Sequence, residues 1–157
     1  MLPDIRERIV TEAWTWKDTP YVDHAGVKGC GVDCAFFPLR VAQSVGLIDV
    51  DYKPPRYSPQ AWLNSPVQTD KRKLKFEDTT FLKIVQGFAK REIGENEVRP
   101  GDLVLYRIVA SWTHAAIVIQ WPDTVLHPIV GLGVISSHGF NDGMLRRRPR
   151  RYFTLVD

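Results

Sequence analysis

The chain has 157 residues, 44% of them hydrophobic and 25% charged, which fits one soluble domain and argues against two full ones. Two cysteines exclude a disulfide scaffold, and five Trp, five Tyr and seven Phe exclude disorder as the main state. The net charge of +3 is a local feature: residues 146–151 hold five arginines and no acid, so the rest of the chain is net acidic and sets up no general nucleic-acid-binding field. No run approaches the roughly 18 apolar residues of a membrane span. The charged N-terminus lacks the apolar core of a signal peptide, so the expectation is synthesis in the cytoplasm.

Residues 4–17 have helical spacing, with Ile5, Ile9, Ala13 and Trp16 on one face, and the Asp18-Thr19-Pro20 cluster ends the pattern. Residues 19–33 are Gly-rich and read as irregular. A second helix is expected over 34–46, with Asp33 as its N-cap and Gly46 as its stop. Pro38 sits awkwardly inside it, because it removes a backbone hydrogen bond. Four prolines between 50 and 66 suggest a surface connection with a helical turn around Gln60–Asn64. Residues 77–90 again look helical, with Phe81, Ile84, Val85 and Phe88 on one face.

After Pro100-Gly101 the texture changes. Leu103–Val109, Ala115–Trp121, Thr124–Val130, Gly133–Ser137 and Tyr152–Val156 are β-branched or aromatic runs separated by turn residues. Helices first and strands afterwards imply an α+β domain with an antiparallel sheet.

Three residues suggest chemistry. Cys34 follows a Gly-rich approach to a helix, where unpaired N–H groups and the helix dipole favour a thiolate and can hold an oxyanion. The plainer reading is a small buried hydrophobe. His114 precedes Ala-Ala-Ile-Val-Ile and opens an expected strand, a rigid mount for a base. His127 lies in the next apolar run and is placed to orient His114, or is a satisfied core histidine. His138, expected in a turn, is a rival for that third position. Cys30 and Cys34 with the two histidines also allow a Cys2His2 zinc site, although structural sites favour tighter thiolate spacing. A Cys30–Cys34 disulfide would block the thiol.

In order, Thr19-Pro20-Tyr21, Gly29-Cys30-Gly31-Val32-Asp33-Cys34, Pro100-Gly101-Asp102-Leu103-Val104-Leu105-Tyr106, His114-Ala115-Ala116-Ile117-Val118-Ile119 and Val125-Leu126-His127 resemble the NlpC/P60 family. These are papain-like cysteine peptidases and amidases of bacterial cell walls. The resemblance runs from about residue 5 to the last strand. It implies one domain over 1–157, with N-terminal helices packed on a C-terminal antiparallel sheet. It implies Cys34 as nucleophile, His114 as base, His127 as the residue orienting it, and Tyr21 as a hydroxyl near the nucleophile that helps hold the oxyanion. Asp33 and His24, on the approach to Cys34, are expected on the substrate side. No cofactor or metal is expected. The implied substrate is an amide bond in a peptidoglycan stem peptide, with action at the bacterial wall.

His24–Gly29 and the Pro-rich stretch further resemble the branch of that family found in phage tails and gene-transfer particles, with tail proteins as partners and the particle as the route to the wall. An injected antibacterial amidase is the other route. The chain departs from the family pattern at Ala35-Phe36, where Ser-Gly is usual, at Pro38, and at Pro128, which removes a ladder donor and suggests an edge or bulged strand. These departures sustain an alternative, a structural tail-tip or adaptor protein that keeps the fold with little or no hydrolysis. The Arg run reads as a solvated strand approach that keeps an edge unpaired, or as a patch attracted to anionic wall polymer or an acidic partner.

Overall fold

The computed structural model describes residues 1–55, 80–108 and 111–157. The helical turn anticipated around Gln60–Asn64, and the start of the helix anticipated from residue 77, lie outside the described residues.

Helix α1 spans Ile5–Thr15, where the Asp4 side chain caps the N-terminus by accepting from Arg6 N–H. Its expected stripe is the buried one: Ile9, Ala13 and Trp16 are buried and Ile5 packs at the margin. A short antiparallel ribbon, β1 (Gly26–Val27) and β2 (Gly31–Val32), follows where the Gly-rich stretch read as irregular. Helix α2 spans Phe36–Ser44. Its late start has a cause. Phe37 N–H reaches Asp33 O as the first helical bond, but Pro38 has no N–H to offer Cys34 O, so unbroken helix begins two residues after the cysteine. Helix α3 spans Thr80–Phe88 and buries Phe81, Ile84, Val85 and Phe88, as the spacing required.

Strands β3 (Arg91–Ile93), β4 (Leu103–Ile108), β5 (Ser111–Gln120), β6 (Thr124–Ile129), β7 (Gly133–Ser137) and β8 (Arg150–Thr154) form one sheet in the order β3-β8-β4-β5-β6-β7, antiparallel throughout. Helices α1, α2 and α3 all pack on β5. Leu103, Leu105, Ala115, Ile117 and Phe153 face them together with Ile9, Phe37 and Leu39. On the opposite face Val104, Tyr106, Ala116, Val118 and Tyr152 are covered by Leu145 from a 3₁₀ turn at Gly143–Leu145. With both faces buried, the central strands need apolar side chains in both directions, which is why they read as continuous runs.

Several expectations change here. His114 does not open its strand. It is the fourth residue of β5, because Ser111-Trp112-Thr113 extends the strand upstream. Tyr106 pairs with His114 but Arg107 pairs with Trp112, so Thr113 is an extra residue and a bulge lies beside the histidine. Nor is β6 an edge strand: it lies between β5 and β7. Pro128 is tolerated because the β5–β6 ladder stops at the Ile117–Leu126 pair, so its missing N–H faces a gap. The Arg run is not a solvated edge either, since β8 runs between β3 and β4. Arg150 stacks over Trp121 and Phe140, and Arg151 lies over Trp112 and Phe153 while pairing with both oxygens of Glu92 at 2.7 and 2.8 Å. Arg146 and Arg147 remain exposed. Among the described residues no helix is long and apolar enough to cross a membrane.

Candidate active site

The site forms where β5 and β6 part. Among the described residues, β6 beyond Leu126 pairs only with β7, and the upstream half of β5, beyond Ile117, pairs only with β4. The first turn leading into α2 inserts Cys34 into that split. Its Sγ lies 3.1 Å from His114 Nδ1 and 3.7 Å from Pro128 O, and Ala115 N–H hydrogen-bonds the sulfur. The Tyr21 hydroxyl and the N–H of Cys34 itself lie beside it and favour its anionic form. On its far side His114 Nε2 meets His127 Nδ1 at 2.8 Å, and His127 Nε2 meets Ser137 Oγ at 2.7 Å. Cys34, His114 and His127 therefore converge as the sequence order suggested, and Tyr21 joins them. Ser137 was not singled out in the sequence. It is one serine of a Ser-Ser pair, and only the pairing of β6 with β7 brings it to His127.

Backbone contacts hold Tyr21 in place. Asp18 N–H donates to Val134 O and Val134 N–H to Thr19 O, which ties the end of α1 to β7. Gly133, with a positive φ of 74°, lets Thr19 O approach where any Cβ would collide with it. Val32 N–H then donates to Pro20 O, and Tyr21 bridges to Val32.

Asp33 takes the capping place expected of it before α2. Its carboxylate is 3% exposed, accepts at Oδ1 from Ala35 and Phe36 N–H, and accepts at Oδ2 from His24 N–H at 2.8 Å. It caps α2 and clamps the loop that carries His24. His24 is exposed in that loop with φ 59°. His138 lies just beyond β7, with its N–H on Asp142 and its ring against Phe140, apart from the cluster. Cys30 is exposed while Cys34 is buried, and both are free thiols. Among the described residues no group of three or more His, Cys, Asp and Glu could hold a metal ion.

The electrostatics reverse one expectation. Burial first, then the charge of Asp33, push the Cys34 thiol up to about 12, against the donors from Ala115, Tyr21 and its own N–H. The helix dipole was expected to lower it. That pull is about 0.3–1 kcal/mol at a terminus, and here the capping Asp33 carboxylate occupies the same terminus. Burial, then the neighbouring Cys34, Asp33 and Asp23, also raise the Tyr21 hydroxyl, keeping it a donor. Burial and then His127 hold His114 well below its ordinary value. Burial, opposed by Asp142, brings His127 down to about 4. The resting pair is therefore a neutral thiol facing a neutral imidazole.

The two histidines make stability depend on pH with a definite sign. Unfolded chains take up protons on both rings near pH 6.5, whereas folded His127 does so only near pH 4. Over that window the unfolded state binds more protons, so stability is lost as pH falls. For His127 the gap is worth about 3 kcal/mol. Urea titrations at pH 7, 5.5 and 4 should show wild type losing more stability than His127→Asn. Parallel losses in the two proteins would contradict the burial account.

No protein-family model matches the chain, and no curated protein matches its sequence. Solved structures do match in fold. The NlpC/P60 domain of the peptidoglycan hydrolase SagA aligns with 93% of this chain and 96% of its own at 18% identity, with a TM-score of 0.57. The chain has the NlpC/P60 fold. An NlpC/P60 family protein from Bacillus cereus aligns with 96% of this chain at 15% identity and a TM-score of 0.60, and this chain spans 40% of its length. RipD from Mycobacterium tuberculosis, a non-catalytic NlpC/P60 domain protein adapted to peptidoglycan binding, aligns with 99% of this chain and 100% of its own at 13% identity and a TM-score of 0.58.

Proposed function

We propose that this protein is a cysteine amidase that hydrolyses an amide bond in peptidoglycan stem peptides. The observation that carries this reading is the unbroken line from Cys34 Sγ through His114 to His127, with the Tyr21 hydroxyl beside the sulfur. Cys34 Sγ attacks the amide carbonyl carbon as its proton passes to His114 Nδ1. The oxyanion of the tetrahedral intermediate takes hydrogen bonds from Cys34 N–H and the Tyr21 hydroxyl. The C–N bond then breaks, the leaving amine carries off the proton from His114, and a thioester remains. Water, deprotonated by His114, attacks the thioester, and the proton returns to sulfur as the acid product leaves. His127 accepts from His114 Nε2–H throughout and stabilises the transient imidazolium.

The choice of substrate rests on the fold shared with SagA and on the motif resemblance. Digestion of purified muropeptides, read by mass spectrometry, tests it. New stem-peptide fragments with wild type and none with Cys34→Ala are expected. No fragments from folded wild type, across walls of different cross-link chemistry, would remove the hydrolase reading. As the route to the wall we propose a phage-tail or phage-like particle, on the resemblance of His24–Gly29 and the following Pro-rich stretch. Co-sedimentation with tail particles is expected, and a cognate inhibitor encoded beside the gene would point instead to an injected effector.

A second reading has its own observation. Cys34 is 7% exposed and its thiol is raised to about 12. A wall-binding or structural protein that keeps the fold without turnover would tolerate such a cysteine. Folded wild type that binds muropeptides and leaves them intact would establish it.

A further inference from the structure

A neutral imidazole carries one ring proton, so a ring-to-ring contact between two neutral histidines has only two proton arrangements. In one, His114 Nε2–H donates to His127 Nδ1, and His114 Nδ1 is bare and able to take the thiol proton. In the other, His127 Nδ1–H donates to His114 Nε2, and His114 carries its proton on Nδ1, facing the sulfur. The second arrangement cannot act as a base. Distances of 3.1 Å to the sulfur and 2.8 Å between the rings fit both. The tautomer of His127 decides between them, and that is set by what His127 Nε2 meets.

What it meets is Ser137 Oγ at 2.7 Å. A hydroxyl accepts or donates equally well, so a further charge is needed to choose. Asp142 supplies it. Its Oδ2 accepts from the N–H of His138, the residue after Ser137, at 2.7 Å, which sets the carboxylate alongside the serine. Its charge acts on His127 in the sense that favours a positive N–H edge. An anion on that side draws the ring proton of His127 to Nε2 and leaves Nδ1 bare for His114.

We propose that Ser137, biased by Asp142, is a positioning residue that fixes His127 in the Nε2–H tautomer and so keeps His114 Nδ1 free to accept the Cys34 proton. Its catalytic consequence rests on the amidase reading above, but the tautomer does not. Ser137 is part-buried whereas His114 and His127 are 3% and 2% exposed, so it is also the outermost link of the chain.

The test combines two readouts that need no wall substrate with one that does. Long-range ¹H–¹⁵N spectra of histidine-labelled protein at pH 7 should show wild-type His127 protonated at Nε2 and bare at Nδ1. Ser137→Ala should lose the single tautomer, and Asp142→Asn should shift the ratio the same way while leaving the serine in place. Alkylation of Cys34 by iodoacetamide should slow about tenfold in Ser137→Ala and recover in Ser137→Thr, which restores a hydroxyl. On muropeptides, kcat should fall about tenfold in Ser137→Ala with KM unchanged. Wild-type His127 protonated at Nδ1 would overturn the proposal. So would a Ser137→Ala protein with unchanged tautomer and alkylation rate. If wild type cleaves no muropeptide while the tautomer and alkylation results hold, the amidase reading fails and the assignment of Ser137 stands.

Discussion

Replacing His114 with alanine is expected to lower kcat/KM on muropeptides by about 10³–10⁴-fold, near the upper range for losing a general base. The size follows from the thiol. With its pKa pushed up to about 12, Cys34 is ionised in roughly one molecule in 10⁵ at pH 7. A cysteine held as a thiolate in the resting state needs its base mainly for position, whereas this one needs it to remove the proton during attack. His114 suits that task because burial and His127 keep its ring neutral through the neutral range. Wild-type activity should therefore decline only in acid, below pH 6.5. The residual activity of His114→Ala should instead rise about tenfold per pH unit from 7 to 9, following the free thiolate. A loss smaller than tenfold, or a residual rate indifferent to pH, would mean that the thiolate forms without His114.

How much of this the sequence carried depends on where each cause lies. The stripe of Ile9, Ala13 and Trp16 and that of Phe81, Ile84, Val85 and Phe88 are local patterns, and the structure buries both as read. The grouping of Cys34, His114 and His127 was legible through the order of the motifs that carry the family resemblance, since the local reading of His114 as the start of its strand does not hold. The environment of Cys34 was not. The helix terminus is visible in the sequence, but the burial that overrides it comes from β5 and β6 closing around the sulfur. Pro128 misled for a related reason. Proline marks a missing ladder bond, and an edge is only one way to lack a partner. Here the ladder ends inside the sheet, at the gap that admits Cys34. Ser137 and the pairing of Arg151 with Glu92 depend on strand neighbours that no local pattern announces. Strand β3 was missed because Arg-Glu-Ile is short and polar, and only β8 completes it.

The second large effect concerns Asp102, inside the Pro-Gly-Asp run that carries part of the motif resemblance. Asp102 is fully buried, with Oδ1 accepting from Arg6 Nη1 at 2.8 Å and Oδ2 from Arg99 N–H at 2.8 Å. Arg6 also donates to Pro100 O and to Thr154 Oγ1, so one guanidinium joins α1, the start of β4 and the end of β8. Asp102→Ala leaves that guanidinium, whose side chain is 12% exposed, without its anion. Breaking a buried pair on one side costs about 3–5 kcal/mol, because the remaining charge stays desolvated. Removing both charges costs less, since apolar side chains carry no such penalty. Urea unfolding with a constant m-value should therefore place Arg6→Met/Asp102→Leu between wild type and Asp102→Ala. If the single variant lost under 1 kcal/mol, water would have to reach Arg6, and the junction would not be the closed one seen here. If the double variant fell below the single, the pair itself would be the source of stability, held by its own attraction rather than by the cost of leaving one charge alone.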